Sequence, residues 1–299
     1  MRIKDKLRSM LKQYIVSSSR KKKSGIVPVF PESSSIPKII HQTYHKKELP
    51  KDFQANVAKL KRMNPSWDYR LYDDNDILEF IQTNYGKKIV NYYQRINPKY
   101  GAARADLFRY LLIYKVGGIY LDVKSSLEKS LGEVVGEQDR FLLAQWKNGA
   151  GEADENWGLH EELESLGKGE YQQWHIVSVA GHPFLRAVIE DVLHNIDNYN
   201  PGLNGVGKDG VLRLTGPIVY TLAIFPLLNL YKHKFVDYQN DLGFRYSIYS
   251  DTDKGAHKKI FTNHYSLHKE SIVRLNFFGR ILWFVLVYSK KIFNFTFRS

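Results

Sequence analysis

Three charged side chains stand at spacings that would let them act together. Asp106 and Arg109 are three residues apart, and Asp122 follows in the same stretch of sequence. Residues three apart share one face of a helix, so this acid and this guanidinium lie side by side if the segment is helical. Carboxylates are also the hard oxygen ligands that divalent cations prefer. The stretch therefore predicts a cluster of two acids and one arginine.

The elements that must position this cluster are a helix, a tight turn and a short strand. Apolar residues recur at spacings of three and four from Leu107 to Tyr114, which predicts a helix that buries one face. Gly117 and Gly118 end that pattern, and the Ile-Tyr-Leu that follows is typical of a buried strand ending at Asp122. The reversal at the glycines brings the helix face that carries the first acid and the arginine alongside the strand end.

Segments with strand and helix patterns alternate along the rest of the chain from Ile36. Such alternation predicts an α/β fold with a mostly parallel central sheet. A polar cluster at 41–44 follows the first strand, where open α/β sheets bind their ligands. Gly205, Gly207 and Gly210 form a G-x-G-x-x-G pattern, but no strand precedes them, so we interpret them as a loop. The predicted strands are 39–40, 67–72, 119–121, 140–146 and 176–180, and the other predicted helices are 53–63, 77–81, 89–93, 183–194 and 218–231.

The composition limits the classes of partner and of chemistry. The 299-residue chain has a formal net charge of +13 and contains no cysteine, which excludes disulfides and thiolate metal sites. A basic chain favours an anionic partner, such as a nucleic acid, an acidic membrane surface or a phosphorylated substrate. Because the sequence has no DNA- or RNA-binding motif and its densest basic clusters lie near the ends, we expect no nucleic acid partner.

The two ends of the chain differ from its centre. Met1–Tyr14 places apolar residues at helical spacing among basic ones, and Arg20–Lys23 adds a basic cluster. This end is either an amphipathic helix that binds anionic lipid or a solvated tail. The aromatic segment 276–297 is a core helix, a membrane-associated segment or a partner surface, of which we favour the second.

These ends define the expected domains and location. We expect a basic tail and linker at 1–35, a catalytic domain at 36–270 and an amphipathic C-terminal segment at 271–299. No apolar run approaches the roughly 20 residues of a membrane-spanning helix, and no signal-peptide pattern is present. The expected location is therefore cytoplasmic, peripheral on the inner face of the cell membrane, with an anionic membrane surface as a partner.

Several ordered blocks of the sequence resemble family 32 of the glycosyltransferases. This group has a DXD-containing sugar-binding region and includes bacterial polysaccharide enzymes and yeast mannosyltransferases, and clostridial glucosylating toxins share its core. The most specific blocks are the first and the third. The blocks are IPKIIHQTYH at 36–45, NPSWDYRLYDD at 64–74, RADLFRYLLIYKVGGIYLD at 104–122, GHPFL at 181–185, LTGP at 214–217 and NHY at 263–265.

The resemblance implies a GT-A fold, which is Rossmann-like, and a UDP- or GDP-linked sugar donor. It implies that a hexose is transferred with retention at the anomeric carbon. Asp106, Arg109 and Asp122 form the implied catalytic set, in which the first two contact the ribose and the sugar hydroxyls. The implied donor-binding residues are His41, Gln42, Tyr44, Arg104, Lys124, Gln173, Trp174, Thr215 and Gly216.

The sequence departs from the family pattern where the second acid of DXD is expected, because Lys124 stands there. The resemblance implies a divalent cation, Mn²⁺ or Mg²⁺, which Asp122 and His264 are expected to hold. Alternatively, the lysine ammonium lies against the diphosphate and partly replaces the cation. Activity that survives chelation favours the lysine alternative.

The function we expect is hexosyl transfer to a hydroxyl of a capsular or other cell-surface polysaccharide, on a glycan or lipid-linked glycan acceptor. One alternative is a glycan-binding or scaffold protein whose degenerate DXD no longer catalyses. Another is an enzyme that glycosylates protein. Donor hydrolysis separates the enzyme from the scaffold, since a scaffold binds the donor without turnover.

Overall fold

The computed structural model describes residues 25–167, 169–249 and 268–275. The predicted N-terminal amphipathic helix, His264 and the aromatic segment 276–297 lie outside these residues.

A six-stranded mixed sheet forms the centre of the described structure, in the order β2-β1-β3-β6-β5-β7. Only β6 runs antiparallel to its neighbours, so five of the six strands point the same way. The α/β fold with a mostly parallel sheet is thus confirmed. The strands are β1 (Ile39–Thr43), β2 (Asp68–Tyr72), β3 (Gly118–Leu121), β4 (Ser126–Leu127), β5 (Phe141–Leu143), β6 (His175–Ser178), β7 (Lys234–Phe235) and β8 (Phe244–Arg245), of which β4 and β8 form a separate antiparallel pair.

Most predicted helices are present with shifted ends. The segments predicted as two short helices join into one, α2, which kinks at Gly86, where φ is 73°. The loop expected at Gly205–Gly210 was wrong in part, because α7 begins at Gly207. The helices are α1 (Lys51–Met63), α2 (Asp74–Arg95), α3 (Gly101–Val116), α4 (Leu131–Val134), α5 (Pro183–Asp197), α6 (Pro201–Asn204), α7 (Gly207–Leu214) and α8 (Pro217–Ile224), with 3₁₀ turns at Glu161–Leu166 and Phe225–Leu227.

The sheet separates two hydrophobic layers, and α3 is the central helix of one of them. Side chains of β3 alternate as a pleated strand requires: Tyr120 joins the α3 layer, whereas Ile119 and Leu121 join the other. Every residue of α3 from Asp106 to Tyr114 is buried, so the helix buries more than the single face that its periodicity predicted. Charged residues on this helix therefore need partners inside the protein.

The packed chain also includes residues upstream of Ile36. Val27 is buried in the α3 layer, and the Tyr114 hydroxyl accepts a hydrogen bond from the backbone of Phe30. At the other end of the sequence, residues 268–275 return to pack beside α3, where the backbone of Asn97 donates to the carbonyl of Ile272.

One helical run among the described residues, Gly207–Leu227, is long and apolar enough to cross a membrane by length and composition, with a mean hydropathy of 1.4. The expectation that no run reaches this length was therefore wrong. However, 67% of this window is buried in the fold, as in the core helix of a soluble protein, and Gly216 interrupts the helix before α8 begins.

Candidate functional site

The turn between α3 and β3 fixes the position of the candidate site. Gly117 alone joins the two elements, with φ 72°, and Gly118 opens the strand with φ 97°. A Cβ on Gly118 would lie 2.7 Å from the carbonyl oxygen of Ile39, and one on Gly117 would lie 2.6 Å from the backbone nitrogen of Ala180. Only glycine combines positive φ with so close an approach of neighbouring backbone. The two glycines thus hold the end of α3 directly against the sheet.

Arg109 bridges the two acids predicted from the sequence. Its Nη2 lies 3.2 Å from Oδ1 of Asp106 and 3.2 Å from Oδ1 of Asp122. The side chains of Arg109 and Asp106 are buried, whereas that of Asp122 is 25% exposed. The sequence therefore brings the three charges together as its spacing predicted, with Asp122 as the acid that solvent reaches.

Asp106 has two further donors besides the arginine. The Thr215 hydroxyl donates to its Oδ2 at 2.9 Å, and the Gln173 amide donates to its Oδ1 at 3.2 Å. Burial raises the pKa of Asp106 to about 6, although Arg109, Thr215 and Gln173 act in the opposite direction. Protonation of this carboxyl therefore falls within reach of mildly acidic pH.

Arg109 is oriented from all sides. Its Nη1 donates to the carbonyl of Gln173 at 2.8 Å, and the guanidinium lies 4.6 Å from the ring centroid of Tyr120. Burial opposes its charge, but the carboxylates of Asp122 and Asp106 raise the pKa of Arg109 further. A charged, fixed guanidinium can hold the carboxylates and donate to an oxygen-rich ligand.

Asp122 is fixed by its backbone more than by its side chain. Its N–H donates to the carbonyl of Trp174 at 2.9 Å, and its carbonyl accepts from the Gln42 amide at 3.1 Å. The Tyr69 hydroxyl in turn donates to the side-chain oxygen of Gln42 at 2.9 Å. Within the described part of the chain, Oδ1 also accepts from Tyr120 at 3.3 Å, while Oδ2 has no hydrogen-bond partner. A carboxylate oxygen is therefore left for a ligand.

Lys124 occupies the second DXD position inside a tight turn, in which the backbone of Ser125 donates to the carbonyl of Asp122 at 2.8 Å. The lysine is only 8% exposed. Its ammonium lies 3.8 Å from the ring centroid of Tyr246, and its carbonyl accepts from the backbone of Ile248 at 2.7 Å. The aromatic face supports the charge without neutralising it, as a cation–π contact does.

Other predicted donor-binding residues lie in structural contacts. His41 is fully buried in β1, and its Nε2 must donate to the Gly117 carbonyl at 3.1 Å, so its Nδ1 accepts from the Tyr72 hydroxyl at 3.1 Å. Burial lowers the pKa of His41 to about 3. The guanidinium of Arg104 donates to the carbonyl of Ile96 at 2.9 and 3.1 Å.

The remaining three predicted residues line the surroundings of the strand end. Tyr44 packs edge-on against Phe53, in a small cluster that includes Val123. Trp174 is buried against Tyr246. Gly216 caps the start of α8, directly after the threonine that donates to Asp106.

The structure adds two tyrosines that sequence reasoning missed. Tyr120 contacts Arg109, Asp122 and Thr43, and Tyr110 donates to the carbonyl of Thr215 at 2.9 Å and to Oε1 of Gln173 at 3.2 Å. Strand alternation was the available signal for Tyr120, since it stands two residues before the terminal acid. No signal in the sequence pointed to the contacts of Tyr110.

The described residues supply few ligands for the implied divalent cation. Its expected second ligand, His264, lies outside the described residues. Within the described ranges, no group of three or more His, Asp or Glu side chains is placed to hold a metal ion. Oδ1 of Asp122 already pairs with Arg109, and Lys124 stands where a second acid is expected. Because a divalent cation needs several hard oxygen ligands, the described residues alone do not fit one.

Residues 50–142 match the sequence model of a protein family described as the glycosyltransferase sugar-binding region containing a DXD motif. This match includes α3, β3 and all three charged residues of the site. Residues 50–142 are therefore similar to this family. At the position of the DXD motif the chain reads Asp122-Val-Lys124.

Curated relatives resemble different lengths of the chain. Inositol phosphoceramide mannosyltransferase 3 of Schizosaccharomyces pombe is 26% identical over 86% of this chain and 65% of its own length. Mannosyl phosphorylinositol ceramide synthase SUR1 of Saccharomyces cerevisiae is 34% identical over 34% of this chain and 26% of its own length. The initiation-specific α-1,6-mannosyltransferase of Candida albicans is 27% identical over 67% and 55%. The chain thus spans less than two thirds of the length of these relatives.

Two solved structures show weaker likeness. The PaToxG glycosyltransferase has a TM-score of 0.48 at 18% identity, over 74% of this chain and 77% of that one. The glycosyltransferase domain of the YGT toxin has a TM-score of 0.41 at 10% identity, over 69% and 80%.

Proposed function

We propose that this protein is a retaining glycosyltransferase that moves a hexose from a nucleotide-diphospho-sugar to a hydroxyl of a capsular or other cell-surface polysaccharide. The observation that carries this proposal is the bridge from Arg109 to Asp106 and Asp122 at the end of β3. Two buried, ion-paired groups beside one accessible carboxylate provide a rigid array of acceptors and donors for sugar hydroxyls. The match of residues 50–142 to the DXD-containing sugar-binding region supports the same activity.

In this reaction the protein mainly orients and stabilises charge. The bond from the anomeric carbon to the diphosphate breaks, a bond to the acceptor oxygen forms on the same face, and the acceptor proton goes to the leaving diphosphate. Asp106 and Arg109 hold the donor's hydroxyls, and their preset hydrogen bonds avoid reorganisation as the bonds change. Asp122 faces the donor from the strand end with its free Oδ2.

The negative charge of the leaving diphosphate must be met by a cation. Lys124 is suited to this role because it lies two residues from Asp122 and its ammonium contacts an aromatic ring, with no carboxylate partner among the described residues. On swinging away from Tyr246 it places a point charge against a phosphate oxygen. A Mn²⁺ or Mg²⁺ held by Asp122 and His264 remains the alternative, and chelation distinguishes the two.

The names of the relatives suggest which donor and acceptor to test first. The named relatives are mannosyltransferases that include inositol phosphoceramide enzymes, so mannose is the first hexose to test and a lipid-linked acceptor is included. The basic charge of +13 supports a place at an anionic membrane surface, on its cytoplasmic face.

The deciding experiment is a panel of UDP- and GDP-sugars with the purified protein, scored for nucleotide release with and without an acceptor. Asp122→Asn and Asp106→Asn should abolish release while circular dichroism stays unchanged. Asp68→Asn is the matched control, because that acid is exposed and its one ion pair within the described ranges is with Arg70. Full activity in either site variant refutes the proposed site.

A glycan-binding or scaffold function is the second candidate, favoured by the loss of the second DXD acid at Lys124. Calorimetry with the active members of the panel separates the two functions. Donor binding without release by the unmodified protein supports the scaffold.

A further inference from the structure

In the part of the chain that the structure describes, an exposed aromatic and basic segment lies at the β7 edge of the sheet. We call residues 225–235, with the sequence FPLLNLYKHKF, the β7 patch, because it ends in strand β7. Four of its large apolar side chains are well exposed: Phe225 by 42%, Leu230 by 66%, Tyr231 by 39% and Phe235 by 47%. Large apolar side chains are normally buried, so a cluster of exposed ones marks an interaction surface.

The patch is held in place by the core below it. The ring of Tyr231 lies 6.2 Å from that of buried Phe184, and the ring of Phe235 lies 5.7 Å from that of buried Tyr171. His182 donates to the carbonyl of Lys232 at 3.2 Å. These contacts anchor the patch to the core, while its four apolar side chains keep a large exposed fraction.

The charges in the patch identify its partner. Lys232 and Lys234 are exposed between the aromatic residues, and no Asp or Glu occurs in the sequence from Leu214 to Val236. Lysines are depleted at the centre of protein interfaces, whereas lysine interleaved with leucine and aromatic residues is typical of segments that lie in the headgroup region of a bilayer. Lysine stems cover apolar surface while the ammonium reaches the lipid phosphate.

The shape of the patch also suits lipid. An open depression of about 450 Å³ lies between Phe225, Leu228 and Phe235. Strand β7 is only two residues long and carries a lysine, which disfavours the addition of a strand from another chain. We therefore propose that the β7 patch docks the protein on an anionic lipid bilayer. In the sheet order β7 is three strands from β3, so docking leaves the end of β3 uncovered.

The experiment must probe the patch itself, because the basic and aromatic ends of the chain could bind lipid as well. The chain contains no cysteine, so Leu230→Cys places a single environment-sensitive fluorophore in the full-length protein. Leu203→Cys is the matched control, since that leucine is 62% exposed on α6. Vesicles contain phosphatidylcholine alone or with one quarter phosphatidylglycerol, and a nitroxide lipid serves as quencher.

We expect the label at 230 to shift to the blue and be quenched with the anionic vesicles only, while the label at 203 is unchanged. The double variant Lys232→Ala, Lys234→Ala should bind anionic vesicles about 25-fold more weakly, as measured by the fluorescence of the label at position 230. Each lysine near an anionic surface contributes roughly a factor of five to the affinity. A silent label at 230 on protein that floats with the vesicles refutes the proposal. So does a label that is shielded before lipid is added, which identifies a second copy or another segment of the chain as the occupant. Neither result bears on transfer activity, so this proposal fails separately from the proposed function.

Discussion

Replacing Lys124 with aspartate tests how the site meets the charge of the diphosphate. The substitution restores the D-x-D pattern at a position two residues from Asp122. If the ammonium neutralises the leaving group, Lys124→Asp converts an enzyme that works without metal into one that requires Mn²⁺.

The expected loss of activity can be worked out from the distance between the ammonium and a phosphate oxygen and from the effective dielectric constant around them. A unit charge 4 Å from a phosphate oxygen contributes about 4 kcal/mol at an effective dielectric constant near 20. Loss of the ammonium alone, as in Lys124→Met, thus corresponds to a decrease of about 10³-fold in kcat/KM without metal, and Lys124→Asp, which also adds a negative charge, should lose at least as much. The folded protein also loses the contact of the ammonium with Tyr246, 3.8 Å from its centroid, which costs roughly 0.5–2 kcal/mol of unfolding free energy.

The assay is nucleotide release from the active donor in EDTA and then in excess Mn²⁺. Lys124→Met keeps an unbranched side chain, one atom shorter, and removes its charge, so it should lose activity in EDTA and gain nothing from Mn²⁺. Lys129→Asp is the charge control, because that lysine is exposed. The reasoning is refuted if the unmodified protein loses its activity in EDTA, or if Lys124→Asp responds to Mn²⁺ no more than Lys124→Met does.

Three further predictions concern the support of the site. Arg109→Lys removes the bridge to Asp106 and Asp122, so kcat/KM should fall about 10²-fold with the fold intact, and an unchanged value contradicts the role of the bridge. Asp106 has a folded pKa of about 6 against an ordinary 3.8, so the folded state binds more protons in this window and stability falls by about 3 kcal/mol as pH rises through it. In thermal unfolding between pH 3.5 and 7, the stability of Asp106→Asn should fall less steeply with rising pH than that of the unmodified protein, and equal slopes in the two proteins disprove the assignment. The transfer activity of the unmodified protein should decline as the pH drops below 6. Gly118→Ala should lower the unfolding free energy by roughly 2–4 kcal/mol in urea titrations, whereas Gly101→Ala, where a Cβ meets nothing within 4 Å, should not.

The sequence predicted the part of the site that is local in the chain. Helical spacing, two adjacent glycines and a short apolar run were sufficient to place Asp106 and Arg109 beside Asp122. Each of these signals depends on neighbours within a few positions. The α/β alternation likewise predicted the layers of the fold.

The contacts that complete the site come from distant parts of the chain. Gln173 and Thr215 reach Asp106 across separations of 67 and 109 residues, and the reversed direction of β6 brings the glutamine there. Periodicity does not reveal the direction of a strand or the partner that its end meets. For the same reason, the polar residue His41 was expected to face a ligand, although the structure buries it against Gly117.

Because a single residue connects α3 to β3, the number of residues between Asp106 and Asp122 determines how the two acids are placed relative to each other. A loop can absorb an inserted or deleted residue, but Gly117 stands alone between a buried helix and a buried strand. One extra residue in the strand turns its last side chain to the opposite face of the sheet. One extra residue in the helix between Asp106 and Arg109 rotates the acid by about 100° away from the arginine. The stretch from Asp106 to Asp122 should therefore accept substitutions more readily than a change of length.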